Sequence, residues 1–378
     1  MRVLTQLQHD VRREEWDALV GDESPFLEWG WLASLEEAGC VGGQTGWSPQ
    51  HLALYQDDRL VAACPLYLKG NSEGEFVFDY SWANAAYRGG IEYYPKMLVG
   101  VPFTPATGIR FLVAPELDRK GIVRALGKAL RDLCHEHEIS SVHVNFCHED
   151  EAEALAEVGF LERKGFQYKW RNHGYETFAD YLGALRHKRR KEIKRERRVL
   201  DEQGIEIEAL VGDAIPDEMY PEMYRLYLTT VDKYVWGRRY LTSDFFDLLP
   251  ERFRANLCFL VARHEGKVLA GTFNVQKSGV LYGRYWGTYQ EIRHLHFNVC
   301  YYATIEHCIA SGLQRFEPGA GGEFKWLRGF DAEATRSMHY LRDPRLGEAV
   351  KHFLEGERGE IERVIGAMGE RSQLKARD

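Results

Sequence analysis

Between Glu317 and Phe330 the chain reads Glu-Pro-Gly-Ala-Gly-Gly-Glu-Phe-Lys-Trp-Leu-Arg-Gly-Phe. Glycine lets a backbone approach a ligand closely and present its N–H groups. Carboxylates can take up protons, and lysine and arginine hold anionic charge. The plain alternative is a tight turn carrying ordinary surface charges. The apolar run Leu313 to Phe316 just before it reads as a strand end, so the segment would hang from the edge of a sheet.

A second concentration of charge lies upstream. Arg186 to Arg198 holds nine Lys or Arg against Glu192 and Glu196, a local charge of +7 on a chain whose net charge is −8. A cationic patch on an otherwise acidic protein points to an anionic partner, such as a phosphate-bearing cofactor or RNA. A solvated helix face accounts for most of these charges. Arg189 differs, because helical spacing puts it on the stripe Leu182, Leu185, Arg189, Ile193, Glu196, Leu200. An arginine there needs a partner, and a bound anion is one candidate.

Asp118-Arg119-Lys120-Gly121 opens a long helix, where backbone N–H groups and basic side chains can seat a phosphate. With one glycine, helix capping explains it as well. Cys134, His135, His137, His143, Cys147 and His148 have no zinc spacing, so no metal is expected. Tyr282-Gly-Arg-Tyr-Trp-Gly-Thr288 reads as a strand with Tyr282, Arg284 and Trp286 on one face and Tyr285 on the other. That face suits packing or a pocket wall.

The elements that must position these groups follow from periodicity. His51–Gln56 and 60–69 form a hairpin turned at Asp57-Asp58, and 76–80 continues as strand. Residues 81–108, rich in Gly, Pro and Tyr and including Trp82, Tyr93 and Tyr94, read as a long irregular loop and a candidate pocket wall. Strand 109–113, helix 117–138, strand 140–146 and helix 148–158 complete a first unit. The second begins near Thr177 with a basic helix to about Gln203. Strand 205–210, helix 217–232, strands 257–263, 267–276 and 280–287, helix 296–312 and strand 314–317 follow. The order of elements repeats, although no residue-level repeat is visible. The expected division is residues 1–175, then 176–345 with the basic helix 183–203 and the glycine loop, then a charged helical tail, 346–378.

The 378 residues, 44% of them hydrophobic and 13% aromatic, suffice for two cores without covalent staples. Seven cysteines with no Cys-x-x-Cys fit reduced thiols in a cytoplasmic protein. The N-terminus lacks the apolar core of a signal peptide, and no run approaches a membrane span.

Several stretches together resemble one family. They are Asp79-Tyr-Ser-Trp-Ala-Asn-Ala-Ala-Tyr-Arg-Gly-Gly, Tyr93-Tyr-Pro-Lys-Met, Val101-Pro-Phe-Thr-Pro-Ala-Thr-Gly-Ile-Arg110, Arg189-Arg-Lys-Glu-Ile-Lys-Arg-Glu-Arg197, Leu281-Tyr-Gly-Arg-Tyr-Trp-Gly287, Leu295-His-Phe, Cys300-Tyr-Tyr and Lys325-Trp-Leu-Arg-Gly-Phe330. They resemble the FemAB-like N-acyltransferases of the GNAT superfamily, labelled peptidoglycan biosynthesis or recognition proteins, from about Ser24 to Leu341. Asn298 and Phe324 stand where that family usually has Glu and His. The resemblance implies two tandem GNAT-like α/β domains, each a mixed sheet flanked by helices, and transfer of an acyl or aminoacyl group to an amine. It leaves the donor open between acyl-CoA, as in typical GNAT enzymes, and aminoacyl-tRNA, as in Fem transferases.

Such chemistry needs a base for the ammonium, donors for an oxyanion and cations for the donor's phosphates. Glu317 or Glu323 is expected as base, His296 as a reserve base, and Lys325 beside them. Gly319, Gly321 and Gly322 are expected to seat the donor or oxyanion. Arg189, Lys325 and Arg328 are expected to bind phosphate, with Arg119, Lys120 and Gly121 a further donor site. Trp82, Tyr93, Tyr94, Arg284, Tyr285 and Trp286 are expected to line the acceptor side. The leading expectation is an acyl-CoA donor and a small-molecule or peptide amine acceptor, without metal. Aminoacyl-tRNA is the alternative donor, and a non-catalytic module binding a cell-wall precursor the third reading.

Overall fold

The computed structural model describes residues 1–233 and 237–375, which form two compact units. The first comprises Met1–Phe166 with Ala334–Val364, and the second Gln167–Glu333 with Ile365–Asp378. This differs from the contiguous division expected from sequence. The boundary falls within a strand, Leu161–Arg171, and a late stretch of chain returns to the first unit through Asp331–Leu341. The expected tail is largely a helix, Pro344–Glu370, whose Leu346, Val350 and Leu354 are buried.

The first unit has two sheets. One orders Arg2–Leu4, His51–Gln56, Arg59–Cys64 and Leu112–Val113, all antiparallel. The hairpin turns at Asp57 and Asp58, both with positive φ, as the Asp-Asp pair suggests. The other orders Trp47–Pro49, Leu66–Lys69, Lys96–Val99, Ser141–Asn145 and the 334–341 stretch. Lys96–Val99 runs parallel to Ser141–Asn145. A parallel pair needs a crossover, and the helix Arg119–Glu136 lies in the chain between them. Its Val123, Leu126, Leu130 and Cys134 recur at three and four residues and are buried. They join a core with Leu52, Val99, Phe111, Val144 and Leu155.

The second unit orders Ile205–Val211, Leu257–His264, Lys267–Lys277, Val280–Thr288, Arg315–Glu317 and the 167–171 stretch. Here too the pair around the crossover is parallel: Val280, Leu281 and Tyr282 face Arg315, Phe316 and Glu317. The crossover carries Leu295–Phe297, a π turn at Asn298–Ala303 and the helix Thr304–Ala310. Each unit therefore repeats a parallel pair bridged by a helix, with an antiparallel strand on the later member's other side.

Three local expectations change. The 76–80 segment is not a strand: Phe76 takes positive φ, and Tyr80–Arg88 is a helix burying Trp82 and Ala86. The long loop expected over 81–108 therefore contains a helix. The basic helix is two pieces, Phe178–Ala184 and His187–Asp201, with extended backbone at Leu185 and Arg186. Thr177 and Asp180 close a capping box at the first piece, each accepting the other's backbone N–H.

Candidate active site

Val280–Thr288 continues six residues beyond the last rung, Tyr282 with Glu317, while the neighbouring chain turns away at Pro318. The divergence opens a cavity of about 90 Å³, lined by Thr272, Asn274, Gly283, Arg284, Tyr285, Trp286, His296, Cys300, Tyr301, Phe316 and Pro318. Of the expected site residues, Arg284, Tyr285, Trp286 and His296 meet here. Tyr285 also packs edge-on against Tyr227, 5.0 Å between centroids.

The glycine loop adjoins it. Gly319, Gly321 and Gly322 all have positive φ, which favours glycine. The sequence leads one to expect this loop to seat a donor or oxyanion through its N–H groups. Its carbonyls instead hold a cation: Lys325 Nζ donates to Gly319 O at 2.7 Å and Ala320 O at 3.3 Å. A Cβ on Gly322 would meet the Lys325 side chain at 3.4 Å, an ordinary contact, so positive φ rather than space is what favours glycine there. Lys325 is 3% exposed, and burial pushes its pKa down to about 8. An ammonium has three donors, and these two carbonyls use two.

His296 stands edge-on to Trp286 and Tyr301, 5.1 and 5.4 Å between centroids. Desolvation by these neighbours, then the charges of Arg328 and Lys325, push its pKa down to about 4. Its outer edge keeps solvent contact.

The two candidate carboxylate bases stand differently. Glu317 is buried, with Lys169 Nζ at 3.1 Å and Arg315 Nε at 3.0 Å. These are ion-pair distances without well-directed hydrogen bonds, since neither carboxylate oxygen has a hydrogen-bond partner. Glu317 is thus a member of a buried ion-pair cluster and does not line the cavity, which corrects its expected role as base. Glu323 is exposed and does not line the cavity.

Arg328 is also not free for phosphate. Its Nη2 donates to Glu196 at 2.9 Å, its Nε to Tyr302 Oη at 2.7 Å and its Nη1 to Phe324 O at 2.9 Å. The guanidinium lies 3.6 Å from the Phe297 ring centre. Tyr302 also donates to Glu196, and Asn298 Nδ2 donates to the Glu196 carbonyl at 3.0 Å. This buried cluster ties the basic helix to the turn carrying Lys325. Glu196 is the residue whose role the sequence reading missed; its place on the apolar stripe was the available signal.

Arg189 has protein partners rather than an anion: Glu192 at 2.6 Å and Gln373 at 3.0 Å. In the first unit, Arg119 is taken by Glu151, Asp150 and the Phe111 carbonyl, and Lys120 by Glu157 at 2.8 Å. A Cβ on Gly121 would lie 2.4 Å from the Asp118 carboxylate, so that acid fills the space a phosphate would need. The loop reads as an ion-paired helix start, and these five residues are corrected as phosphate ligands.

Trp82, Tyr93 and Tyr94 belong to an internal network of the first unit and do not line the cavity above. Lys96 Nζ meets Glu75 Oε2 at 2.9 Å, Ser72 Oγ at 2.9 Å and Asp79; Tyr93 donates to Asp79 at 2.6 Å, and Tyr94 shares a hydrogen bond with Ser72. Trp82 packs against His143 and His339. Their expected acceptor role is corrected to packing and polar satisfaction.

The basic helix does offer an open surface. A groove of about 900 Å³ runs along His187, Lys188, Arg190, Lys191, Glu192, Lys194, Arg195 and Arg198. Among the described residues, Lys188, Lys191, Lys194 and Arg195 are exposed and make no ion pair. No group of three or more metal-ligating residues occurs among the described residues, and no helix there is long and apolar enough to cross a membrane.

The sequence pattern of the FemAB-like family, described as peptidoglycan biosynthesis/recognition, matches residues 8–376. No curated protein sequence matches. A crystal structure of FemX superposes with a TM-score of 0.56 at 13% identity, covering 93% of this chain and all of that one. The C-terminal domain of a putative lysylphosphatidylglycerol synthetase from Agrobacterium fabrum gives 0.55 at 12% identity, covering 90% and 95%. L-PGS from Bacillus licheniformis gives 0.54 at 10%, covering 91% and 97%. The expected α/β architecture of tandem GNAT-like units stands.

Proposed function

Since the chain belongs to the FemAB-like family, we propose that it is an aminoacyltransferase moving an aminoacyl group from a tRNA ester to the amine of a peptidoglycan-precursor peptide. The observation that carries the donor is the groove along His187–Asp201, where four exposed cations have no ion pair among the described residues. A polyanion is bound by several such charges releasing counterions. The acyl-CoA donor has less support, because Arg119, Lys120, Arg189 and Arg328 are each engaged by carboxylates.

In the reaction the amine nitrogen forms a bond to the ester carbonyl carbon, the ester C–O bond breaks, and the amine's proton ends on the leaving hydroxyl. Lys325, protonated below about 8, supplies positive charge to the developing oxyanion. Neutral His296, lining the cavity, is the group able to carry the proton. The loop carbonyls at Gly319 and Ala320 hold the ammonium in place.

The test is transfer to a peptide amine with aminoacyl-tRNA as donor, with and without ribonuclease, beside an acyl-CoA arm. Ribonuclease-sensitive transfer is expected. Resistant transfer from acyl-CoA refutes the donor. Tight peptide binding with no transfer from either donor refutes the enzyme reading in favour of a binding protein.

A further inference from the structure

We infer that a second cavity, lined wholly by residues of the first unit, binds a single aliphatic chain ending in a carboxylate. Strands of both sheets of that unit build it, and its volume is about 360 Å³. Val3 lies opposite Leu52 in one sheet, and Met97 lies opposite Leu68 in the other. Leu66 is two residues from Leu68 on the same strand and shares its face. Leu133, from the helix Arg119–Glu136, adds a further wall. Leu52, Leu66 and Met97 are buried in the unit's core, whereas Val3 and His137 are exposed, so the cavity has an apolar floor and an open mouth. Close-packed interiors keep few voids larger than a water, so core packing alone does not produce one of this size.

The lining decides the occupant. Among its described residues none is Asp, Glu, Lys or Arg, and none is Phe, Tyr or Trp. A phosphate or a stacked base or sugar therefore finds no partner there, whereas an aliphatic chain does. Gln50 and His137 are the polar members, both reached from solvent, and neither side chain makes a hydrogen bond or ion pair among the described residues. Their amide and ring N–H groups are donors, suited to the two oxygens of a carboxylate at the mouth. Size sets the chain length. At ~30 Å³ per non-hydrogen atom, the share of one water in the liquid, 360 Å³ takes about twelve such atoms, as many as decanoate has.

The experiment measures binding to the full chain by calorimetry and ligand-observed NMR. The probes are hexanoate, octanoate, decanoate and dodecanoate below their micelle concentrations, and octanol. Each added methylene is expected to tighten binding about fourfold as far as decanoate, and dodecanoate to gain little more. Octanoate is expected to bind more tightly than octanol. Gln50→Leu with His137→Leu is expected to weaken octanoate about fivefold without weakening octanol. Leu68→Trp, which fills the cavity, is expected to weaken decanoate about tenfold or more, with folding followed by thermal melting. No dependence on chain length, a rise without a ceiling, or undiminished decanoate binding by a folded Leu68→Trp chain overturns the assignment. So does capture by phosphatidylcholine vesicles, or self-association of the chain, in place of saturable decanoate binding. Octanol binding as tightly as octanoate overturns the carboxylate end. The chain-length series on the unaltered chain needs no variant. It contains no donor or acceptor, so its outcome is independent of the aminoacyl transfer proposed above.

Discussion

Glu196→Ala removes the partner of a buried charge. The Arg328–Glu196 pair has side chains only 6% and 11% exposed. Deleting one member of such a pair costs about 3–5 kcal/mol, mostly from the charge left behind. Arg328 keeps Tyr302 Oη at 2.7 Å, the Phe324 carbonyl at 2.9 Å and the face of Phe297. These offset part of the loss, so the expected cost is near the lower end, about 3 kcal/mol. The readout is native-state hydrogen exchange in peptides from His187–Asp201 and 295–310, because a global melt of two units need not be two-state. Adding Arg328→Met removes the stranded charge, and the double variant is expected to recover about 2 kcal/mol relative to the sum of the singles. A loss below about 1 kcal/mol for Glu196→Ala, or strict additivity in the cycle, refutes the view that this pair carries an uncompensated buried charge once broken.

Lys325→Met is expected to lower kcat by about 10²–10³ with the fold intact, the range for losing one transition-state donor; steady-state kinetics check it. Burial lowers the Lys325 pKa to about 8, so its charge is present below that value and lost above it. The unaltered chain should lose rate as pH rises through about 8, and the Lys325→Met chain should lack that limb. Replacing Lys188, Lys191, Lys194 and Arg195 with Glu should weaken tRNA binding and flatten its salt dependence by a slope of roughly 3–4, measured by filter binding across salt. Gly287→Ala places a Cβ 1.9 Å from the Leu226 carbonyl oxygen, a backbone contact that cannot yield; a loss of about 3 kcal/mol or more is expected in urea titration.

The helix Arg119–Glu136 was legible because its buried residues repeat at helical spacing, and the 257–288 meander because its turns carry glycine. The helix Tyr80–Arg88 was hidden by a Gly- and Tyr-rich composition, though Trp82 and Ala86 are one turn apart on its buried side. The strands Leu161–Arg171 and Asp331–Leu341 are not legible in the sequence because Glu162, Arg163, Lys164, Glu333 and Arg336 do not read as strand; tertiary pairing overrides that preference. Lys325 and the Arg284 strand were visible as chemistry in a dense motif. The partners of Arg328 were not, because Glu196 lies 132 positions away and ion pairing at that range leaves no local pattern. The same holds for Arg119, whose acids lie on the helix Glu149–Ala156.

The late return of the chain to its first unit has a consequence for synthesis. Ser141–Asn145 waits for Ser337–Leu341 as its antiparallel neighbour, and His143 for the imidazole of His339, 2.6 Å between their Nδ1 atoms. Both partners leave the ribosome nearly 200 residues later. The middle of the chain, Gln167–Glu333, emerges as a nearly complete compact body before Ala334–Val364 follows, while the N-terminal portion still holds an open sheet edge and an unmatched His143. Such an edge is a site for wrong pairing and for chaperone capture. The N-terminal half should therefore be the last part of this protein to become protease-resistant during translation, although it is the first part made.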